Sequence, residues 1–244
     1  MGVAAVSLTA CQGLGMYSAL DSAQLRVVDA SPDAGVIDSY GNNAALAYNL
    51  TFGTVTNYIA VAPGVYQLAA DRAGSRQTLV AGTETLAAGK QYTEIIGSSL
   101  ANMRQTIFLD QATPAPEREI ALRVVNETTR PGALNIYAVS MTSSDGRARS
   151  STPLAVNLGP GASSGYIVMP MGTYAIDVTP TSAPLSSVTA TLLSGAQLPY
   201  PSGAVRTVVL IDQQSPGTQQ NPGSQQNAPQ TGVQAIVADD ADAP

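Results

Sequence analysis

The sequence predicts an all-β protein built as two tandem antiparallel immunoglobulin-like β-sandwiches. Three observations lead there. Short runs rich in Val, Ile, Tyr and Thr alternate with turn residues along most of the chain. No stretch has the length and 3.6-residue period of a long helix. A set of short blocks occurs twice in the same order.

The repeat sets the organisation. Leu25-Arg26-Val27-Val28 returns 97 positions later as Leu122-Arg123-Val124-Val125. Val36-Ile37-Asp38-Ser39-Tyr40 returns at the same offset as Ala133-Leu134-Asn135-Ile136-Tyr137. Tyr58-Ile59 and Gly64-Val65-Tyr66 return 108 positions later, as Tyr166-Ile167 and Gly172-Thr173-Tyr174. The second copy therefore carries an insertion, which the polar stretch 142–152 with its Asp145-Gly146 accommodates.

In the first copy, strands are expected at 25–30, 36–40, 56–62, 65–70, 77–81, 91–96 and 106–109. Ser31-Pro32-Asp33, Gly41-Asn42-Asn43, Pro63-Gly64, Ala73-Gly74 and Ala88-Gly89 supply the turns between them. Along 36–40, Ile37 and Ser39 alternate with Asp38 and Tyr40. One face therefore looks inward and the other carries an acid and a Tyr. In the second copy, Val205 and its neighbours align with 91–96, because Gly203 and Thr207 sit as Gly89 and Thr93 do. The last strand is then expected at 233–239, beyond the Gln-rich repeats. A rival alignment ends the fold at Asp212 and leaves the rest as a tail.

Composition excludes several function classes. The chain of 244 residues has no His and no Trp, one Cys and only 11% charged residues. Without His there is no Ser-His-Asp triad and no imidazole metal site. One Cys forms neither an intrachain disulfide nor a thiolate zinc cage. A formal net charge of −6 argues against nucleic acid as a partner. No cofactor is expected.

The N-terminus carries an address. Leu8-Thr9-Ala10-Cys11 after a small apolar run resembles a bacterial lipobox, in which the Cys thiol receives the lipid. No Lys or Arg precedes Cys11, so the true start is expected upstream of Met1. The absence of Asp at position 12 favours an outer-membrane or periplasmic-side location. The expected layout is a lipobox remnant and tether at 1–22 and a first sandwich at 23–111. A Pro-rich linker at 112–119 and a second sandwich at 120–240 follow, the latter interrupted by a disordered Gln-rich loop at 213–231.

Each copy resembles the bacterial domain of unknown function 4397. The first copy carries its pattern in Leu25–Val28, Ser31-Pro32-Asp33, the strand ending at Tyr40, Pro63-Gly64-Val65-Tyr66 and Gly89-Lys90-Gln91-Tyr92-Thr93. The second departs from it: Asn126 replaces Asp29, Met171 replaces Pro63, and Ala204 and Arg206 replace Lys90 and Tyr92. The resemblance implies secreted or envelope-attached sandwiches and no particular chemistry.

Candidate sites are few. Asp29, Asp33 and Asp38 lie close around the first turn and are a candidate calcium cluster. Loop capping is the favoured explanation, since Asp is preferred in turns for backbone hydrogen bonding. Tyr66 and Tyr174 suit a tyrosine corner. Asp38, Tyr40, Asn135 and Tyr137 are the candidate ligand contacts, being off the main core face. The reading that follows is a non-catalytic cell-envelope lipoprotein, a structural or adhesion-type binding module. It meets the membrane through its lipid and an envelope protein or glycan as partner. The alternative is a small-ligand or glycan-binding protein acting through the sandwich-end loops. Two acids facing one another in a cleft would instead favour a carboxylate hydrolase.

Overall fold

The computed structural model describes residues 21–130, 132–140, 151–181, 193–194, 198–213 and 232–241. Cys11, most of the polar insertion and the Gln-rich stretch lie outside the described residues. The first unit runs β1 (Ala23–Ala30), β2 (Ile37–Gly41), β3 (Ala44–Leu50), β4 (Ile59–Val61), β5 (Gly64–Arg72), β6 (Thr78–Leu86), β7 (Gln91–Gly97) and β8 (Arg104–Leu109). The second runs β9 (Glu119–Asn126), β10 (Leu134–Ser140), β11 (Ser151–Leu158), β12 (Ser163–Pro170) and β13 (Gly172–Pro180). It ends with β14 (Leu193–Ser194), β15 (Leu198–Tyr200), β16 (Val205–Asp212) and β17 (Val233–Ala241).

Each unit is a sandwich of two sheets, as the fold class required. In the first, β4-β1-β7-β8 faces β3-β2-β5-β6. In the second, β12-β9-β16-β17 faces β11-β10-β13-β14, with β15 also on β13. The pairing is antiparallel except for β1 with β7 and β9 with β16, which run parallel. Val233–Ala241 lies beside β16, the place Arg104–Leu109 holds beside β7.

One strand was not anticipated. Ala44–Leu50 is Ala-rich and mostly exposed, so neither apolar alternation nor β-propensity marks it. Its cause lies in the turn before it. Asn42 and Asn43 both take positive φ, 50° and 66°, as a tight two-residue hairpin needs.

The strand alternation explains two cores. Leu25, Val27, Tyr92 and Ile96 point into the first sandwich, packing with Ile37, Leu50, Leu68 and Leu86. Val28, Ala30 and Ile95 point the opposite way, against Val125, Val209 and Ile211 of the second unit. Phe52, Val55, Phe108 and Ile236 close the rim of this middle core. The β1/β7 and β9/β16 sheets are thus buried on both faces. The chain stacks four sheets, and the two inner ones pack against each other.

A polar exchange pins that contact. Arg26 donates through Nε to Thr93 Oγ1 (2.8 Å) within its own unit. It also donates through Nη1 to the Asp239 carbonyl (2.9 Å) and through Nη2 to the Asp240 carboxylate of the other unit. Arg123 does the converse: Nε to Thr207 Oγ1 (3.0 Å), Nη1 to the Leu109 carbonyl (3.1 Å), Nη2 to the Asp110 carboxylate. Each Asp uses its second oxygen at home. Asp110 accepts from Thr93 (2.6 Å) and Tyr58 (2.7 Å); Asp240 accepts from Thr207 (2.7 Å) and Tyr166 (2.9 Å). Arg26 lies over the Tyr58 ring at 4.7 Å, and Arg123 over Tyr166 at 4.6 Å. Both guanidiniums and both carboxylates are buried. Burial pushes Asp240 up, and Arg26 and Thr207 pull it back. Burial also pushes the Tyr58 and Tyr166 hydroxyls up, which keeps them donors.

The link between units is held down, not free. Ala115 is buried, and its N–H donates to the Gly203 carbonyl (2.9 Å). The Gln111 N–H donates to the Tyr166 hydroxyl (3.2 Å).

Because β17 brings Asp240, a chain ending at Gln213 loses an edge strand and leaves Arg26 without the carboxylate it hydrogen-bonds, with only Asp110 at 4.0 Å. We expect a stability loss of at least about 3 kcal/mol, the usual cost of breaking a buried ion pair. Urea unfolding measures it, and an unchanged midpoint would remove β17 from the fold's essential parts.

The first sandwich also buries an acid. Glu94 accepts from Ser39 Oγ (3.2 Å) and from the Gln105 amide, and is 0% exposed. Burial lifts its carboxyl from 4.5 to about 7, against the pull of those two donors. The fold prefers the neutral acid. The stability this gives is full below pH 4.5 and is lost as pH rises through about 7. Glu94→Gln should therefore stabilise above pH 7 by up to roughly 3 kcal/mol and gain nothing near pH 4. Paired melts at the two pH values test this; equal effects at both would place the charge elsewhere.

Candidate functional site

A concavity lies on the outer face of the β2/β3/β5/β6 sheet. Its geometry starts from a bulge. Ile37 pairs with Leu50 and Ser39 with Ala47, so Tyr48 and Asn49 together stand opposite Asp38. Asn49 takes φ 55°, and Tyr48 is turned out to 63% exposure. Bulges re-aim side chains in this way. Asp38 locks the arrangement: Oδ1 accepts the Asn49 N–H (2.8 Å), and Oδ2 accepts the Gly74 N–H (3.4 Å) from the β5–β6 turn. That turn carries Ser75 and Arg76. Gly74 sits at φ +69°, which a side chain would strain.

Around this frame lies a groove of about 600 Å³ lined by Asp38, Tyr40, Tyr48, Asn49, Ser75 and Arg76. A second hollow of about 450 Å³ shares Tyr40, Ser75 and Arg76 and adds Asp71 and Asn43. Tyr40 and Tyr48 meet edge to face, their centroids 6.1 Å apart at 85°. Asp71 pairs directly with Asp38 across β2 and β5, and its Oδ1 is buried without a hydrogen-bond partner. Two acids therefore stand side by side. Asp38, however, spends both oxygens on backbone N–H groups, so it is a strut.

The second unit repeats the frame, and among its described residues Val156 and Thr179 stand where the first unit has Tyr48 and Asp71. Asn135 Oδ1 accepts the Asn157 N–H (2.9 Å), and Asn157 takes φ 57° in the matching bulge. Val156, 66% exposed, stands where the first unit has Tyr48. Thr179 pairs with Asn135, where the first unit pairs Asp71 with Asp38. Tyr137 is half-buried on β10. Residues 182–192, beyond the end of β13, lie outside the described residues.

The sequence-derived site residues thus divide. Asp38 and Tyr40 share one groove; Asn135 and Tyr137 lie on the other unit's outer sheet. The proposed calcium cluster is not formed. Asp29 is buried and accepts the Ser31 N–H (3.0 Å), Asp33 accepts the Leu100 N–H (2.7 Å), and Asp38 holds Asn49 and Gly74. Each carboxylate serves a different stretch of backbone. Among the described residues no three acids group to hold a metal. Burial lifts Asp29 to about 7, against the pull of Ser31. Asn126 does the same work uncharged, accepting the Thr128 N–H (3.1 Å). Tyr66 and Tyr174 close corners, donating to the Ala62 (2.9 Å) and Pro170 (2.8 Å) carbonyls. Sequence reading missed Tyr48, Asp71 and Arg76. Tyr48 sits on the unanticipated strand, and Asn42-Asn43 was the signal that could have found it.

The model of a domain of unknown function (DUF4397) matches residues 23–137, the whole first unit and the start of the second. No curated protein matches the chain. Several solved structures are distantly similar. One is an alpha-glucan-recognising family 41 carbohydrate-binding module from streptococcal virulence factors: 11% identity, TM-score 0.25, covering 70% of this chain and 85% of that one. The Bacillus anthracis TIE protein gives 8% and 0.24, over 90% and 44%. A candidate cell adhesion protein from Bacteroides eggerthii gives 10% and 0.23, over 92% and 97%.

Two variants separate frame from surface. Asp38→Ala removes the acceptor of two backbone N–H groups and should cost about 1–3 kcal/mol. Tyr48→Ala, at an exposed bulge, should stay within about 0.5 kcal/mol of the parent. Thermal melts of both check this; a Tyr48→Ala loss as large as that of Asp38→Ala would make Tyr48 part of the core packing.

Proposed function

We propose that the chain is a non-catalytic binding module of the bacterial cell envelope, anchored by lipid on Cys11 and displaying two tandem copies of the same domain. The groove on the first outer sheet is the observation that carries the binding reading. It is open, aromatic-rimmed and built on strands, and its central acid is committed to the backbone. The copy reading rests on matched strand order, matched bulges and the reciprocal Arg–Asp bonds. The envelope reading rests on Leu8-Thr9-Ala10-Cys11. An adhesion or structural role fits a rigid double sandwich with its contact surface on an outer sheet. Ligand contact is assigned to that sheet face and the β5–β6 turn.

The test uses the chain behind a complete signal in a bacterial host. Labelled palmitate should be incorporated, and the protein should fractionate with membranes. Cys11→Ser should abolish both while leaving the fold intact. The purified chain should also co-sediment with isolated cell-wall material. Retention of the Cys11→Ser protein in membranes would sink the anchor, and failure to co-sediment would sink the envelope-binding role.

A further inference from the structure

We propose that the groove at Tyr48 is a saccharide site and that it selects neutral sugars over acidic ones. The inference rests on the binding-module reading above and adds the ligand class.

A pyranose presents an apolar face of C–H groups and a rim of hydroxyls. Tyr48 offers the complement to the first: an aromatic face standing 63% exposed, braced edge-on by Tyr40. Such an exposed ring costs solvation in the free protein, and an apolar ligand face recovers that cost. The rim is matched by Asp71, a half-buried carboxylate lining the adjoining hollow, and by Arg76, which has donors and no acceptor role. A hydroxyl both donates and accepts, so one sugar edge can serve both. The cavity volumes, about 600 and 450 Å³, are of the size small-ligand clefts have.

Charge decides the selectivity. Asp38 and Asp71 lie in register on neighbouring strands, and Arg76 alone of the lining residues opposes them. A uronate would bring a third carboxylate beside two that are already adjacent. A neutral sugar brings hydroxyl donors to those carboxylates instead. The second unit, with Val156, Asn135 and Thr179 at the corresponding positions, has neither the aromatic face nor the acid pair.

The protein supplies its own reporter. It has ten Tyr and no Trp, so Tyr emission and ring signals are readable without labelling. The full chain is titrated by NMR with neutral hexamers of glucose (α- and β-linked) and N-acetylglucosamine, and with hexagalacturonate as the acidic comparator. At least one neutral hexamer should shift signals of Tyr48, Ser75 and Arg76 saturably, with Kd no weaker than about 10 mM. Hexagalacturonate should bind at least tenfold more weakly. Tyr48→Ala should weaken the neutral sugar tenfold or more with an unchanged melt, and Val156→Ala should have no effect. Asp71→Asn should narrow the gap between neutral and acidic sugars. No saturable shift with any neutral hexamer would overturn the proposal. So would preference for hexagalacturonate, or binding indifferent to Tyr48→Ala. If the chain still co-sediments with cell-wall material after one of those results, the ligand class is wrong and the envelope-module reading stands.

Discussion

Two arginines exchanged between two sandwiches hold this structure in its particular form. Arg26 reaches across to Asp240, and Arg123 reaches back to Asp110. The contact is isologous in the sense used for two-fold dimers: residue i touches j, and j's counterpart touches i's. Here both halves belong to one chain. The geometry is demanding, because each guanidinium bonds a Thr on its own sheet, a carbonyl and a carboxylate on the other, and stacks on a Tyr. Buried ion pairs add little net stability over apolar packing, but they penalise every wrong arrangement heavily. A slip of one residue in β1 would turn Arg26 into the first sandwich's own core. The exchange therefore fixes strand register and the relation of the two units together.

That constraint explains which parts of the fold were readable. The recurrence of Leu-Arg-Val-Val was plain, and so were the turns and the inward Ile37 and Ser39. Its meaning was not, since an Arg within an apolar run can be a strand's exposed face. Two signals hinted otherwise. Val124-Val125 and Val208-Val209-Leu210-Ile211 are continuous apolar runs, as strands buried on both faces require. Asp110 and Asp240 close the last strands of the two units. Tyr58 and Tyr166 matched at a shared offset, but nothing local says that their rings cover guanidiniums. These relations are long-range, and a single sequence carries the residues without the pairing. The groove was half legible for the opposite reason. Asp38 and Tyr40 follow from alternation, while Tyr48 depends on a bulge and Arg76 on a turn whose position only tertiary structure supplies.

The copies differ where packing alone gives no reason to differ. The first sandwich places Ser39, Glu94 and Gln105 together inside; the second has Ile136, Val208 and Ala235 at the matching positions. It also sets Asp71 beside Asp38 where the second sets Thr179 beside Asn135. Both features cost stability, one by desolvation and the other by like charge across a strand pair. The second unit shows that the frame forms without them. Departures from local consistency that a sister copy avoids are expected at working surfaces. Asp38 and Asp71 lie on the first unit's outer sheet, Glu94 and Gln105 on its inner sheet, and Ser39 on β2 joins the two features.

A binding surface on strands has a further consequence. Tyr48 is aimed by a bulge, the bulge is pinned by Asp38, and Asp38 also grips the turn that carries Arg76. If the groove binds as proposed, its contact groups are set before a ligand arrives, and little ordering entropy is left to lose on binding. The inner sheet beneath them is buried on both faces and locked to the second unit by the arginine exchange. Rigidity passes from that exchange to the inner sheet, through the sandwich core to β2, and from β2 to the groove. If the groove binds as proposed, the second sandwich contributes to recognition without touching the ligand. It removes the freedom that a lone sandwich with one inner face open to water would retain.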